Sequence, residues 1–259
     1  MGGSLKITVL GTASCIPEPG RETASFCLNG TVVVDTGWCV THRLTACGID
    51  PLDIEAVLLT HCHHDHYMGL LSLLFWTGLE GHKVPQKRHL QVIGPAGHVG
   101  RVVEDAFRFL QTDRYPELSF PVDIRDVAPG GAFEVQGLRV TTAASRHNVP
   151  GLHYRIETDG GASVVFSGDT PFNPDLVELA QGADLLVHEA SHGAESTRGN
   201  PAAAHSGAPD AAEVAALAGV KRLWLVHCPA RREGEALEAA RMRFPAAFLA
   251  QMGAVEEFG

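Results

Sequence analysis

The sequence predicts an α/β fold: two mixed β-sheets packed face to face, with helices on both outer faces. Three observations carry this. Short β-branched runs come first as a block, then alternate with segments of helical spacing, and the order is roughly repeated in the second half. Hydrophobic residues make up 45% of the 259 positions, enough to fill a sizeable core. Gly 28 and Pro 15 provide turns between many short elements. The length fits one large domain, 1–259, and there is no low-complexity segment, long linker or solenoid repeat.

The elements follow in order. Leu5–Leu10 alternates and is β-branched, as a strand should be. Ser25–Leu28 and Thr31–Asp35 form a hairpin around Asn29-Gly30, a strong short turn signal. Asp35 ends that strand, where it can orient a metal ligand or cap the next turn. Val40–Cys47 is a short helix closed by Gly48, and Ala56–Thr60 is a strand. Tyr67–Trp76 is apolar almost all round and reads as a buried helix, with Phe75 and Trp76 as core residues. Leu90–Ile93 is a strand, broken by Gly94-Pro95, and Val99–Leu110 has helical spacing. Val122–Val127, Ala132–Val135 and Leu138–Ala143 are strands with Gly-rich turns. Leu152–Glu157 and Ser163–Ser167 pair around Asp159-Gly160-Gly161. Asp175–Gln181 is a helix, Asp184–Val187 a strand, and Pro209–Ala218 a helix with Pro in its first turn and Gly219 after its end. Arg222–Val226 is a strand and Glu233–Phe244 a final helix.

The bulk numbers exclude some functions. A net charge of −10 disfavours broad non-specific binding to nucleic acid. The small basic groups, Lys87-Arg88 and Arg231, Arg232, Arg241 and Arg243, read as solvated faces. No run is long enough for a transmembrane helix, and Met1–Lys6 lacks a signal-peptide pattern. The six cysteines form no C-x-x-C pair and read as thiols of a reducing, cytoplasmic setting. Cys62 and Cys228 sit beside candidate ligands, but no ligand spacing includes them, so both read as packing residues.

The chemistry concentrates in residues 57–70, where an apolar lead-in delivers His61, His63, Asp65 and His66 in the pattern H-x-H-x-D-H. Imidazole nitrogens and a carboxylate gathered at a strand end are what a metal ion requires. Further polar residues close other predicted strands: His147, Asp169 in Ser-Gly-Asp-Thr, His188 with Glu189, and His227. Strand ends can converge on one rim, where catalytic groups are commonly placed.

This ordered set resembles the metallo-β-lactamase fold hydrolases over most of the chain. The resemblance implies an αββα sandwich with two metal sites: His61, His63 and His147 on one zinc, Asp65, His66 and His227 on the second, and Asp169 bridging. Nitrogen and oxygen donors also suit manganese or iron. Within that superfamily the chain looks most like ribonuclease Z, through Val9–Pro17, Val164–Thr170, and Leu186–Ser191 followed by His205-Ser206. That likeness implies a metal-assisted phosphodiesterase in which Asp65 orients the attacking water, Glu189 orients His205, and His205 serves the leaving oxygen. It also implies a homodimer. Two departures argue against structured tRNA and for a small or short phosphodiester. His147 and Asp169 are only 22 positions apart, with no room for a tRNA-gripping arm, and the opening loop has Arg21-Glu22 where the family usually has Arg-Asn. The alternatives are hydrolysis of a carboxylic ester, lactone, thioester or sulfate ester on the same fold, and an iron-dependent oxidoreductase. His64, His153, His188 and His192 read as surface or packing residues.

Overall fold

The computed structural model describes residues 3–87 and 89–259. Met1, Gly2 and Arg88, which entered the readings of the N-terminus and of a basic loop, lie outside them. In the first sheet β1 (Leu5–Gly11), β2 (Ser25–Leu28), β3 (Val32–Thr36), β4 (Ala56–Leu58), β5 (Leu90–Pro95) and β6 (Val122–Val127) lie side by side. In the second, β7 (Ala132–Val135), β8 (Leu138–Ala144), β9 (Leu152–Glu157), β10 (Ser163–Phe166), β11 (Leu185–Glu189), β12 (Arg222–Val226) and β13 (Ala247–Leu249) follow in the same way. The last strand, β14 (Val255–Phe258), returns to pair with β1. Both sheets are mixed: β3 to β6 run parallel, as do β10 to β13, and the other pairs are antiparallel.

Parallel neighbours need crossovers, and the crossovers place helices on the outer faces. On the first sheet these are α1 (Val40–Ala46), α2 (His64–Tyr67), α3 (Leu70–Glu80) and α4 (Val99–Phe109). On the second they are α5 (Pro174–Leu179), α6 (Ala208–Ala218) and α7 (Glu233–Arg241). The period of two in the strands divides their side chains between layers. Val164 and Phe166 point between the sheets with Phe26, Val34, Leu58 and Tyr154. Val165 points outward against Leu176, Val214 and Ala215. Leu44, Leu73, Leu74, Val99 and Val103 form the matching layer on the other side. Phe26 and Phe166 meet across the sandwich with ring centroids 5.1 Å apart.

The sandwich is as expected from sequence, and the differences are local. The predicted helix Tyr67–Trp76 is instead one turn, α2, followed by α3, which runs on to Glu80. α3 buries Leu70, Leu73, Leu74, Thr77 and Gly78, while Phe75 and Leu79 are each 44% exposed, so it is not buried all round. It lies on the outside of a sheet, where only one face can be covered. His188 and Glu189 belong to β11 instead of following it, because β12 continues the ladder through His188↔Leu225 and Glu189↔Val226. β13 and β14 were not expected; they are three and four residues long, and β14 carries two glutamates. It pairs as an edge, where Glu257 faces Lys6.

Three contacts fasten the loop after β4 to the second sheet. Tyr154 Oη donates to the Leu59 carbonyl at 2.9 Å, Leu152 N–H donates to the Thr60 carbonyl at 2.8 Å, and His61 bridges Gly151. The H-x-H-x-D-H loop therefore sits at the rim where both sheets end.

Candidate metal centre

Each polar group of the rim is delivered by a strand end. β4 leads to His61, His63, Asp65 and His66, β8 to His147, β10 to Asp169, β11 ends on Glu189, and β12 leads to His227. Two backbone positions here are strained, since Asp35 has φ 50° and His227 φ 55°. Gly168 beside Asp169 also has φ 55°, and a Cβ there would meet Thr60 Cβ at 2.8 Å.

The donor atoms of His61, His63, His147 and Asp169 all lie within 4.8 Å of one another, and so do those of Asp65, His66, Asp169 and His227. Asp169 Oδ2 belongs to both sets. It stands 3.7 Å from His61 Nε2, 4.0 Å from His147 Nε2, 3.6 Å from His66 Nε2 and 3.8 Å from His227 Nε2. Asp65 Oδ2 lies 3.2 Å from His66 Nε2 and 3.1 Å from His227 Nε2.

Partners on the far side of each ring fix which nitrogen faces the centre. Asp35 Oδ2 accepts from His66 Nδ1 at 2.8 Å, while its two oxygens also hold Thr60 N–H and Oγ1. Of the two roles open to Asp35 in the sequence, this is the orienting one. His147 Nδ1 donates to the Ala204 carbonyl at 2.7 Å. His227 Nδ1 donates to Ser191 Oγ at 2.9 Å, and Ser191 Oγ donates to Glu189 Oε2 at 2.6 Å. Sequence reading gave Ser191 no role, because a serine that bridges two distant residues leaves no spacing pattern.

A divalent cation fits this donor set. With Nδ1 donating to Asp35, His66 Nε2 carries a lone pair, is buried, and has no hydrogen-bond partner. Asp65 Oδ2 at 3.2 Å and Asp169 Oδ2 at 3.6 Å stand beside it without a hydrogen bond to it. Burial first, and then neighbouring imidazoles, keep His61 and His63 below the usual histidine range; burial also lowers His147. These rings are therefore neutral, the form that binds metal. Burial also disfavours a charged His66, but Asp35 and Asp169 outweigh it and raise its pKa. Burial would raise the Asp65 carboxyl, yet His227 and His66 hold it well below the carboxylate range. The carboxylates draw positive charge into the pocket, and a cation among the nitrogens meets that demand while leaving the lone pairs in use.

Glu189 and His205 stand at one side. Glu189 accepts from Thr170 N–H, Ser206 N–H, Ser191 N–H, Ser191 Oγ and His205 Nδ1, the last at 3.0 Å. Burial opposes charge on His205, but the hydrogen bond and charge of Glu189 prevail and push its pKa up to about 9. Its Nδ1 lies 3.7 Å from Asp169 Oδ2. The remaining histidines stay out of the donor sets. His64 is exposed against Tyr67, and His192 is half-buried with its ring 6.3 Å from that of His205. His188 is buried and donates to the Glu189 carbonyl, and His153 is buried between Ser167 and Asn173. Cys62 and Cys228 are free thiols whose pKa burial pushes up to about 12, outside both donor sets.

Residues 31–228 match the family described as the beta-lactamase superfamily domain. The chain is 29% identical to the ribonuclease Z of Methanothermobacter thermautotrophicus, over 93% of this chain and 92% of the relative. It is 36% identical to the ribonuclease Z of Mycobacterium bovis, over 71% of this chain and 69% of the relative. Its fold is similar to that of the metallo-beta-lactamase fold protein YhfI from Bacillus subtilis, with a TM-score of 0.80, 22% identity, and coverage of 98% of this chain and 99% of that one.

Proposed function

The chain belongs to the β-lactamase superfamily; it is a metal-dependent hydrolase of the phosphodiesterase type, and we propose that seven side chains hold two zinc ions for that reaction. His61, His63 and His147 would hold one, Asp65, His66 and His227 the other, with Asp169 shared. Manganese or iron(II) suit the same donors. The observation that carries the reading is Asp169 Oδ2, which stands within 4.0 Å of four imidazole nitrogens from both sets. Bound there, the cations supply Lewis acidity, lowering the pKa of a water and offsetting charge that grows on the phosphoryl oxygens. Asp65 orients the attacking water. Glu189 keeps His205 charged and turned, and His205 protonates the leaving oxygen. Its raised pKa keeps that proton available at neutral pH.

The substrate we propose is a short or unstructured phosphodiester. Between His147 and Asp169 the chain forms only the β9–β10 hairpin, with no arm. Arg21, in the opening loop where the family usually has Arg-Asn, is paired with Glu18 at 2.8 Å and Glu233 at 2.6 Å. Arg232 and Arg243 also meet carboxylates. A cytoplasmic setting is supported by six free thiols; among the described residues no helix is long and apolar enough to cross a membrane. A homodimer remains part of the proposal, and sedimentation tests it.

Hydrolysis of bis(p-nitrophenyl) phosphate against a p-nitrophenyl ester, a lactone and a precursor tRNA, on metal-assayed protein, tests the reading. The diester should be preferred, with two zinc ions per chain. His63→Ala should strip metal and abolish turnover. His205→Ala should slow diester turnover by about 10²-fold with metal retained. Preference for the ester or lactone overturns the phosphodiesterase assignment, and loss of metal in His205→Ala overturns the leaving-group role.

A further inference from the structure

Beside the metal centre lies a second concavity of about 440 Å³, between the loop after β8, the turn after β10 and the 197–203 loop. Arg146, Phe172, Arg198 and Asn200 line it with prolines and small residues, and no acidic side chain does. In a chain of net charge −10 this is a local reversal of sign. Arg146 is exposed and makes no ion pair among the described residues, whereas Arg21, Arg232 and Arg243 each do. Arg198 is held flat, its guanidinium carbon 3.8 Å from the Phe172 ring centroid, with Nη1 on Glu213 at 3.0 Å. That leaves further N–H donors of its planar fork for a ligand.

The pocket is joined to the catalytic groups on the His205 side. Arg146 directly precedes His147, and its N–H donates to Thr170 Oγ1 at 3.3 Å. Thr170 N–H donates to Glu189 Oε1 at 3.0 Å. Across the pocket, Thr197 Oγ1 donates to the His205 carbonyl at 2.8 Å. A group seated between the two arginines would thus extend from the oxygen that His205 protonates. Its volume falls within the range of small-molecule sites, roughly 300–1,000 Å³, and suits one nucleotide, not a folded RNA.

We propose that this pocket binds a terminal phosphate on the leaving-alcohol half of a short phosphodiester, with Arg146 and Arg198 as the residues that select it. The proposal rests on the phosphodiesterase reading and on His205 standing at the leaving oxygen. In the reaction the water oxygen bonds to phosphorus, the bond from phosphorus to the leaving oxygen breaks, and His205 gives that oxygen its proton. One product is a phosphomonoester. The other is an alcohol that keeps its own phosphate in the arginine pocket.

The test uses the metal-loaded enzyme with the dinucleotides pApA and ApA, which differ only in a 5′-phosphate on the nucleoside that carries the bridging 3′-oxygen; the proposal takes that oxygen as the one that leaves. Wild type should favour pApA in kcat/KM by about tenfold, chiefly through KM. Arg146→Ala should bring the ratio near one, and Arg146→Lys, which keeps the charge without the fork, should keep part of it. Arg146 is exposed, so its loss does not endanger folding; Arg198→Ala should act in the same direction. Equal cleavage of the two dinucleotides by wild type, or a preference that survives Arg146→Ala, overturns the pocket assignment. So does turnover of bis(p-nitrophenyl) phosphate without either dinucleotide. If metal-loaded wild type cleaves no diester at all, the phosphodiesterase reading fails as well.

Discussion

The two donor sets of the centre are held by different means. Of His61, His63 and His147 only His63 is half-buried as a ring, and no carboxylate is bonded directly to an outer nitrogen: Thr60 Oγ1, which donates to Asp35, lies 3.2 Å from His61 Nδ1, and the Ala204 carbonyl accepts from His147. Asp65, His66 and His227 are all buried, and both rings are backed by carboxylates. Asp35 holds His66 directly, and Glu189 reaches His227 through Ser191. A carboxylate behind an imidazole makes the ring a stronger donor and fixes its tautomer. The buried set should therefore hold its cation more tightly, and the set that includes the half-buried His63 should exchange first.

The largest effect should come from Asp169→Ala, which removes the one oxygen common to both sets. Both cations should be lost and diester turnover should fall by more than about 10³-fold. Elemental analysis of the purified variant checks this, and one cation kept at wild-type affinity would break the picture of a shared ligand. Asp35→Asn is the sharper probe of the asymmetry. The buried set should lose about 10- to 100-fold in zinc affinity, and the other, which Asp35 reaches only through Thr60 Oγ1, should lose clearly less. Competition against a chromophoric chelator resolves the two sites, and equal weakening of both would refute the comparison. Ser191→Ala should act in the same direction and less strongly, because Glu189 keeps four other donors.

Those effects also mark what was legible in the sequence. The clustering of His61, His63, Asp65, His66, His147, Asp169, Glu189 and His227 could be read because each lies at or soon after a strand end, and strands announce themselves by period; their roles, and His205 in the loop between β11 and α6, came only from the resemblance. The sandwich was legible for the same reason. The supports were not. Ser191, Thr60 and the Ala204 carbonyl act through tertiary hydrogen bonds that have no sequence spacing. Asp35 was visible only as a choice between two roles. β13 and β14 are too short and too charged to show a pattern, and the exposed face of α3 carries apolar residues that a sequence reading assigns to the core. Arg146 and Arg198 are 52 positions apart and meet only across a pocket.

His153 gives the smallest effect and the cleanest control. It is as buried as His66, but it faces no carboxylate: Nδ1 donates to the Ser167 carbonyl and Asn173 Nδ2 donates to Nε2. Burial therefore prevails, and its pKa falls to about 3, whereas the carboxylates around His66 raise that ring. An unfolded histidine titrates near 6.5. Above that pH neither state binds the proton, and His153 makes stability no more pH-dependent. Below it the unfolded chain takes up a proton that the folded protein refuses until about pH 3, so stability falls as pH falls, by at most roughly 1.4 kcal/mol per unit. His153→Gln keeps a donor and an acceptor and removes the titration. It should be less stable than wild type at pH 7.5 by about 1 kcal/mol, from imperfect hydrogen bonding. That deficit should shrink, and then reverse, between pH 6.5 and 4.5. Urea denaturation of metal-free protein across that range measures it without interference from ligand protonation on bound metal. A deficit constant with pH would mean that His153 takes up its proton as readily in the fold as in the unfolded chain, and that burial does not decide the state of a histidine here where carboxylates are absent.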